Sequence, residues 1–241
     1  MLKRAVSLIQ RMRGAGSGPG RQAVLAHIQS RAHFQHALPR APLASVPYVV
    51  FDLETTGLSP SRGDAIVSIG AVRVRDAAAD ESELFRTLAN PGRKIPPLST
   101  RYHGITDSQV AGAPPVADAL ALFQAFAGDA VLVAHNAAFD MACLYAAEFQ
   151  GAPATTNPAL CSMALSQWLD PEEPDHSLDG VATLLGEVIT GRHDALGDAI
   201  ATARIFCRLL ARADARGIDH LDELFRRVGM RRRLIAGAEL F

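Results

Sequence analysis

Asp52 and Glu54 stand two apart in Phe51-Asp52-Leu53-Glu54-Thr55-Thr56-Gly57, directly behind the apolar run Pro47-Tyr48-Val49-Val50-Phe51. On a strand, alternate side chains share a face, so the two carboxylates point the same way. Neighbouring carboxylates repel unless a positive charge lies between them or one holds a proton. The simpler alternative is a strand that ends in water. Further acids fall at the edges of later elements. Asp140 lies in the stretch AHNAAFDMACLY (134–145), near the start of a helix that follows Val131-Leu132-Val133. Ligand sites in α/β sheets gather at the carboxyl ends of strands, although a first-turn acid is also favoured by the helix dipole alone. His193 and Asp198 lie in GRHDALGDA (191–199), where Asp194 suits a helix N-cap and leaves His193 outside the helix.

Four carboxylates and one imidazole form a set with a chemical use. Two divalent ions about 3.5–4 Å apart stabilise both the attacking and the leaving oxygen of a phosphodiester cleavage. Hard oxygen donors select Mg²⁺ or Mn²⁺ over zinc, and a histidine titrating near neutrality takes a proton from water. The adjacent His193-Asp194 also suggests a zinc phosphohydrolase, but no upstream histidine pair accompanies it. The glycine-rich GAGSGPG (14–20) lacks a P-loop lysine and follows no strand, so it reads as a linker.

The elements that must position these residues follow from periodicity. Strand patterns occupy roughly 47–53, 65–75, 82–88, 130–134 and 159–162. Helical patterns occupy 116–127, 137–150, 177–185, 195–213 and 219–228, with 2–12 and 21–37 as further helices ahead of the domain. Three closely spaced strands and then strand–helix alternation predict an α/β layered domain with a mixed sheet. The expected organisation is a basic extension (1–46), a domain (47–213) and a C-terminal helical extension (214–241).

Composition narrows the function classes. Residues 1–51 carry seven Lys or Arg and no acid, residues 52–198 eight basic and twenty acidic residues, and residues 199–241 nine basic and five acidic. An acidic centre between basic flanks fits a metal site that must hold a phosphate backbone, not a broad polyanion-binding face. Three cysteines without a C-x-x-C pair argue against a disulfide framework or a structural zinc and for a reducing, cytoplasmic interior. No apolar run is long enough for a membrane span. The acid-free start also matches a transit peptide or a bacterial basic arm.

The ordered set Asp52-x-Glu54-Thr55-Thr56-Gly57, Asn136-x-x-Phe139-Asp140 and His193-x4-Asp198 resembles the DEDDh class of 3′–5′ exonucleases, to which the polymerase III epsilon proofreading subunits belong. HGIT (103–106) and HSLDGVATLLG (176–186) look like family segments, and the resemblance covers roughly 47–212. It implies a ribonuclease H-like three-layer fold with a mixed five-stranded sheet flanked by helices, and two Mg²⁺ or Mn²⁺ ions. Asp52 would bridge both ions, Glu54 and Asp198 would complete the first shell, Asp140 would support the second, and His193 would activate water. It further implies substrate contacts at Thr55, Thr56, Leu58, Asn136, Phe139 and His103. Phe139 also reads as a core residue and His103 as a loop hydrogen-bonder.

The substrate implied is nucleic acid with single-stranded or frayed 3′ ends, DNA ahead of RNA, with a polymerase subunit as partner. An exoribonuclease using the same site is the alternative, and a tethered nucleic-acid-binding module ranks lower. Arg204, Arg208, Arg212 and Arg216 recur every four residues, which predicts either a phosphate-tracking stripe extended by Arg231, Arg232 and Arg233 or a solvated helix face. The terminal Glu239-Leu240-Phe241 is a weak match to a clamp-binding peptide.

Overall fold

The apolar run ahead of Asp52 becomes the centre of a sheet. In the computed structural model, which describes residues 19–33, 38 and 40–229, five strands form one sheet. They are β1 (Tyr48–Thr55), β2 (Ile66–Arg75), β3 (Ala78–Leu88), β4 (Val131–Ala134) and β5 (Ala159–Cys161), in spatial order β3-β2-β1-β4-β5. The β1–β2 and β2–β3 pairs are antiparallel, whereas β4 runs parallel to β1 and β5 parallel to β4. The mixed five-stranded sheet is the one the sequence predicts. Its β3 begins earlier than the pattern indicates, because Asp76 and Ala77 both take positive φ (50° and 56°) and close a two-residue hairpin.

Nine helices are described: α1 (Pro19–Ala32), α2 (Pro97–His103), α3 (Asp107–Val110), α4 (Val116–Ala127), α5 (Ala137–Phe149), α6 (Ser162–Leu169), α7 (Leu178–Leu185), α8 (Ala195–Asp214) and α9 (Leu221–Val228). The periodicity does not show α2, α3 or α6. The first two are seven and four residues long, too short for a 3.6-residue period to register, and α6 starts on the residue after β5 ends.

β1 sorts its side chains between two helical layers. Tyr48 meets Phe206 of α8 edge-on at 5.1 Å between ring centroids, while Phe51 lies 5.2 Å from Phe123 of α4. Even-numbered positions therefore face α8 and odd-numbered positions face α4, which places Asp52 and Glu54 on the α8 side. Burial along the strand agrees: residues 48–51, Leu53 and Thr55 are buried, whereas Asp52 and Glu54 are partly open.

The flanking segments pack on the domain. The described part of the expected N-terminal extension is docked on the domain: α1 packs on α5, Ile28 is fully buried, and Arg31 reaches Glu148 at 3.1 Å. Leu221 and Leu224 of α9 are fully buried in the same cluster as the sheet. The two flanks also meet, through Leu43 N–H to Asp219 O (2.8 Å) and Leu221 N–H to Ala41 O (2.9 Å). Residues 46 and 213 are therefore not packing boundaries. The apolar anchors are few and stand among arginines, so composition hides them. The predicted helix 2–12, Gly14, Gly16 and Gly18 of the linker, Arg231 to Arg233 and Glu239 to Phe241 lie outside the described residues. Among the described residues no helix is long and apolar enough to cross a membrane.

Candidate active site

β4 pairs with β1 only as far as Val50, so residues 52–55 run on past the parallel neighbour. The space beyond the end of β4 is taken by the first turn of α5. Asn136, at φ 69°, turns the chain, and Asp140 in that first turn is brought to Asp52 with 4% of its surface exposed. α8 approaches from the other face. Asp52 is paired in the sheet with Gly70, where an added Cβ would lie 2.2 Å from the Leu196 amide nitrogen. That glycine lets the start of α8 rest on the sheet beside Asp52.

Carboxylate oxygens of Asp52, Glu54 and Asp198 can lie within 4.8 Å of one another. Burial raises the pKa of each, and the neighbouring acids add to the effect at Asp52 and Glu54. Asp52 stands well above its usual range, through burial and then Asp140, Glu54 and Asp198. Glu54 is pushed to about 8 by burial and then by Asp198. Burial also lifts Asp140 to about 8, against the backbone amides of Asp140 and Leu53. Such a cluster either keeps protons or calls for cationic charge. The Oδ1 atom of Asp198 is buried with no hydrogen-bond partner, which the oxygen of a metal ligand would be in the absence of its ion. Hard oxygen donors, mutual proximity and an orphaned acceptor together fit a divalent cation.

His193 lies at the rim, at φ 62°, outside α8. Asp194 caps that helix by accepting from Gly197 N–H at 3.2 Å, as the sequence predicts, and is held by Arg86 of β3 at 2.7 Å. The turn that carries His193 folds tightly on the helix: a Cβ on Gly197 would lie 2.4 Å from Gly191 O. The His193 ring meets Tyr102 of α2 edge-on at 6.0 Å, and its own amide donates to Asp198 Oδ2 at 3.2 Å.

The other expected contacts divide. Leu58 (48% exposed) and Asn136 are open at the rim. Thr55 donates to Gly57 O at 2.7 Å. The Thr56 hydroxyl is held by Asp64 and the Ala65 amide, its N–H by Ala65 O, and its carbonyl by Ser99. With these groups engaged it braces the turn and fastens α2 beside β1. His103 accepts from Ile105 N–H at 3.0 Å, and burial lowers its pKa. Phe139 packs against the main core.

The guanidinium groups of the arginine stripe have partners within the protein. Arg204 pairs with Glu81 of β3, Arg208 with Glu187 after α7, and Arg212 with Asp170 after α6, while Arg216 lies over Trp168. These guanidinium groups tie α8 to its neighbours. Exposed pairs contribute about 0–1 kcal/mol each. The triple variant Arg204→Ala/Arg208→Ala/Arg212→Ala is therefore expected to lower the thermal midpoint by a few degrees and leave the salt slope of DNA affinity unchanged. A smaller salt slope in fluorescence-anisotropy titrations would restore the track.

Sequence reasoning passed over Arg192, Asp179, Tyr102 and His135. Arg192 donates to Asp198 Oδ2 and, at 3.0 and 3.3 Å, to both carboxylate oxygens of Asp179. His135 is neutral, its pKa lowered to about 4 by burial, with Nε2 to His176 O at 3.0 Å and Nδ1 to the Ser162 hydroxyl at 2.9 Å. It locks the end of β4 to the segment that leads into α7. Three of the four adjoin residues already singled out, and Asp179 lies in the segment 176–186.

The RNase T family model, described as an exonuclease, matches residues 49–206. A "DNA polymerase III subunit epsilon-like protein" of Rhodobacter capsulatus is 46% identical over 186 residues, which are 76% of this chain and 26% of that protein. This chain thus spans about a quarter of that relative. A solved structure of Exonuclease X in complex with 5′-overhanging duplex DNA is 27% identical, with a TM-score of 0.58 over 70% of this chain and 93% of the other. The nuclease domain of 3′hExo, a DEDDh family member bound to rAMP, shares the fold at 17% identity and a TM-score of 0.61, covering 71% of this chain and 94% of that one.

Proposed function

This chain belongs to the exonuclease family, and from that premise we propose that it is a divalent-metal-dependent 3′–5′ exonuclease. It hydrolyses phosphodiester bonds at single-stranded or frayed 3′ ends of DNA and releases nucleoside monophosphates. The observation that supports this most is the convergence of Asp52, Glu54 and Asp198 within 4.8 Å, with Asp140 buried beside them and His193 at the rim.

Asp52, Glu54 and Asp198 would hold one Mg²⁺ or Mn²⁺, and Asp52 with Asp140 a second. When bound, the ions stabilise negative charge on the attacking and leaving oxygens. The side chains of this protein do the rest. The His193 imidazole takes a proton from the attacking water as its oxygen bonds to phosphorus. The bond from phosphorus to the 3′ oxygen of the preceding nucleotide breaks, and that oxygen gains a proton from solvent. The open Leu58 and Asn136 beside the acids meet the terminal nucleotide, which an unpaired end can present and a closed duplex cannot.

The identity to an epsilon-like protein supports a replication or repair setting with a polymerase subunit as partner. An exoribonuclease would use the same site. Purified protein with Mg²⁺ or Mn²⁺ should trim end-labelled single-stranded DNA and a mismatched 3′ end, while Asp52→Ala should not. Faster trimming of RNA in the same assay would move the protein to RNA turnover, and inactivity on all substrates would sink the enzyme reading. His193→Ala should lose roughly 10²–10⁴-fold in kcat, the usual worth of a positioned base, while still binding Mn²⁺. Unchanged turnover would remove His193 from that role.

A further inference from the structure

We propose that Arg192 is a positioning residue that sets Asp198 as a one-oxygen metal ligand, and that Asp179 anchors Arg192 for this task. The inference rests on the metal-site reading above and extends it to residues the reaction itself does not use. The two carboxylate oxygens of Asp198 have different surroundings. Oδ2 accepts from the Arg192 guanidinium and, at 3.2 Å, from the His193 amide. Oδ1 is buried and accepts nothing from the protein. Two donors on one oxygen fix the rotation of the carboxylate and leave the other oxygen for the cation.

The geometry requires an arginine. One guanidinium reaches Asp198 with one nitrogen and both oxygens of Asp179 with two others. A lysine ammonium has no such fork and cannot hold both acids in the same arrangement. Asp179 belongs to the first turn of α7, whose N-cap Ser177 accepts from Gly180 N–H at 3.1 Å. The relay from Asp179 through Arg192 to Asp198 therefore ties α7 to the first turn of α8. Partners behind a metal ligand typically change affinity about 10–100-fold when removed.

The test is Mn²⁺ binding by isothermal titration calorimetry on the 241-residue chain, beside turnover measured against Mn²⁺ concentration. Arg192→Ala should bind Mn²⁺ about 10–100-fold more weakly, Arg192→Lys should fall between it and wild type, and Asp179→Asn should weaken binding less than Arg192→Ala. Turnover of Arg192→Ala should recover toward wild type at saturating Mn²⁺, which damage to the fold would not allow. Circular dichroism and the Asp179→Asn variant guard against misfolding of the arginine variant. Wild-type affinity in Arg192→Ala would overturn the assignment. Tighter binding would overturn it as well, since Arg192 would then be a competing cation. Wild-type protein that binds no Mn²⁺, like the Asp52→Ala control, would instead bring down the metal-site reading on which the relay depends.

Discussion

Asp140→Asn should abolish 3′-end trimming and, at the same time, make the metal-free protein more stable. The two effects share one cause. Asp140 is buried among acids, with its pKa raised to about 8, chiefly by burial. In the unfolded chain the same carboxyl loses its proton near pH 4. Below that pH both states hold the proton and folding carries no penalty. Between about pH 4 and pH 8 the unfolded state ionises while the folded state keeps its proton, so stability falls as pH rises. Glu54, also raised to about 8, acts in the same sense. Asparagine has no charge to bury, and the variant should gain most over wild type at pH 8 and above and nothing near pH 4.

His135 works in the opposite direction. Its pKa is lowered to about 4, so the unfolded state binds the extra proton between about pH 4 and 6.5, and stability is lost as pH falls through that window. Comparing wild type with Asp140→Asn at each pH cancels this contribution. Scanning calorimetry in EDTA at several pH values is the measurement. A midpoint that does not rise in Asp140→Asn at pH 8 would show that the carboxylate is not strained in the empty site. Added Mn²⁺ should raise the wild-type midpoint, as any ligand of the native state does, and should raise that of the variant less. Activity should fall at least about a thousandfold, since charge stabilisation by a bound ion is worth several kcal/mol.

The pattern of the sequence discloses residues whose signal is local and leaves out those defined by long-range pairing. Asp52 and Glu54 are visible because a strand puts alternate residues on one face, and Asp140 and Asp194 because helix starts have their own chemistry. The five strands emerge for the same reason, with β3 short by the four residues that follow a tight hairpin. Arg192 is invisible because its meaning comes from Asp179, thirteen positions away in another helix. His135 depends on a carbonyl 41 residues distant. The arginine stripe has a helical period on either reading, and its pairing with Glu81, Glu187 and Asp170 depends on residues distant in the chain. The docking of α1 on α5 depends on Ile28 within a segment whose apolar residues form no clear helical stripe.

Gly70→Ala is expected to harm the protein more than any other single-methyl change to the sheet. Its Cβ would fall 2.2 Å from the Leu196 nitrogen and 2.3 Å from the Ala195 carbonyl carbon, both backbone atoms of the first turn of α8. Backbone cannot rotate away as a side chain can, so the helix must lift from the sheet or the strand must buckle. Overpacking of this kind costs about 3 kcal/mol or more, which lowers the midpoint of a chain this size by roughly 6–12 °C. The consequence for the site is more specific. Gly70 is the cross-strand partner of Asp52, and the turn it would displace carries Asp198 and begins two residues after His193. Lifting α8 therefore separates Asp198 from Asp52 and Glu54, and Mn²⁺ affinity and turnover should fall together even well below the new midpoint. Gly197→Ala, whose Cβ would meet Gly191 O at 2.4 Å, strains the turn of His193 without touching the sheet, and should cost turnover more than stability. If Gly70→Ala kept wild-type Mn²⁺ affinity at low temperature, close seating of α8 on the sheet would not be what brings the acids together.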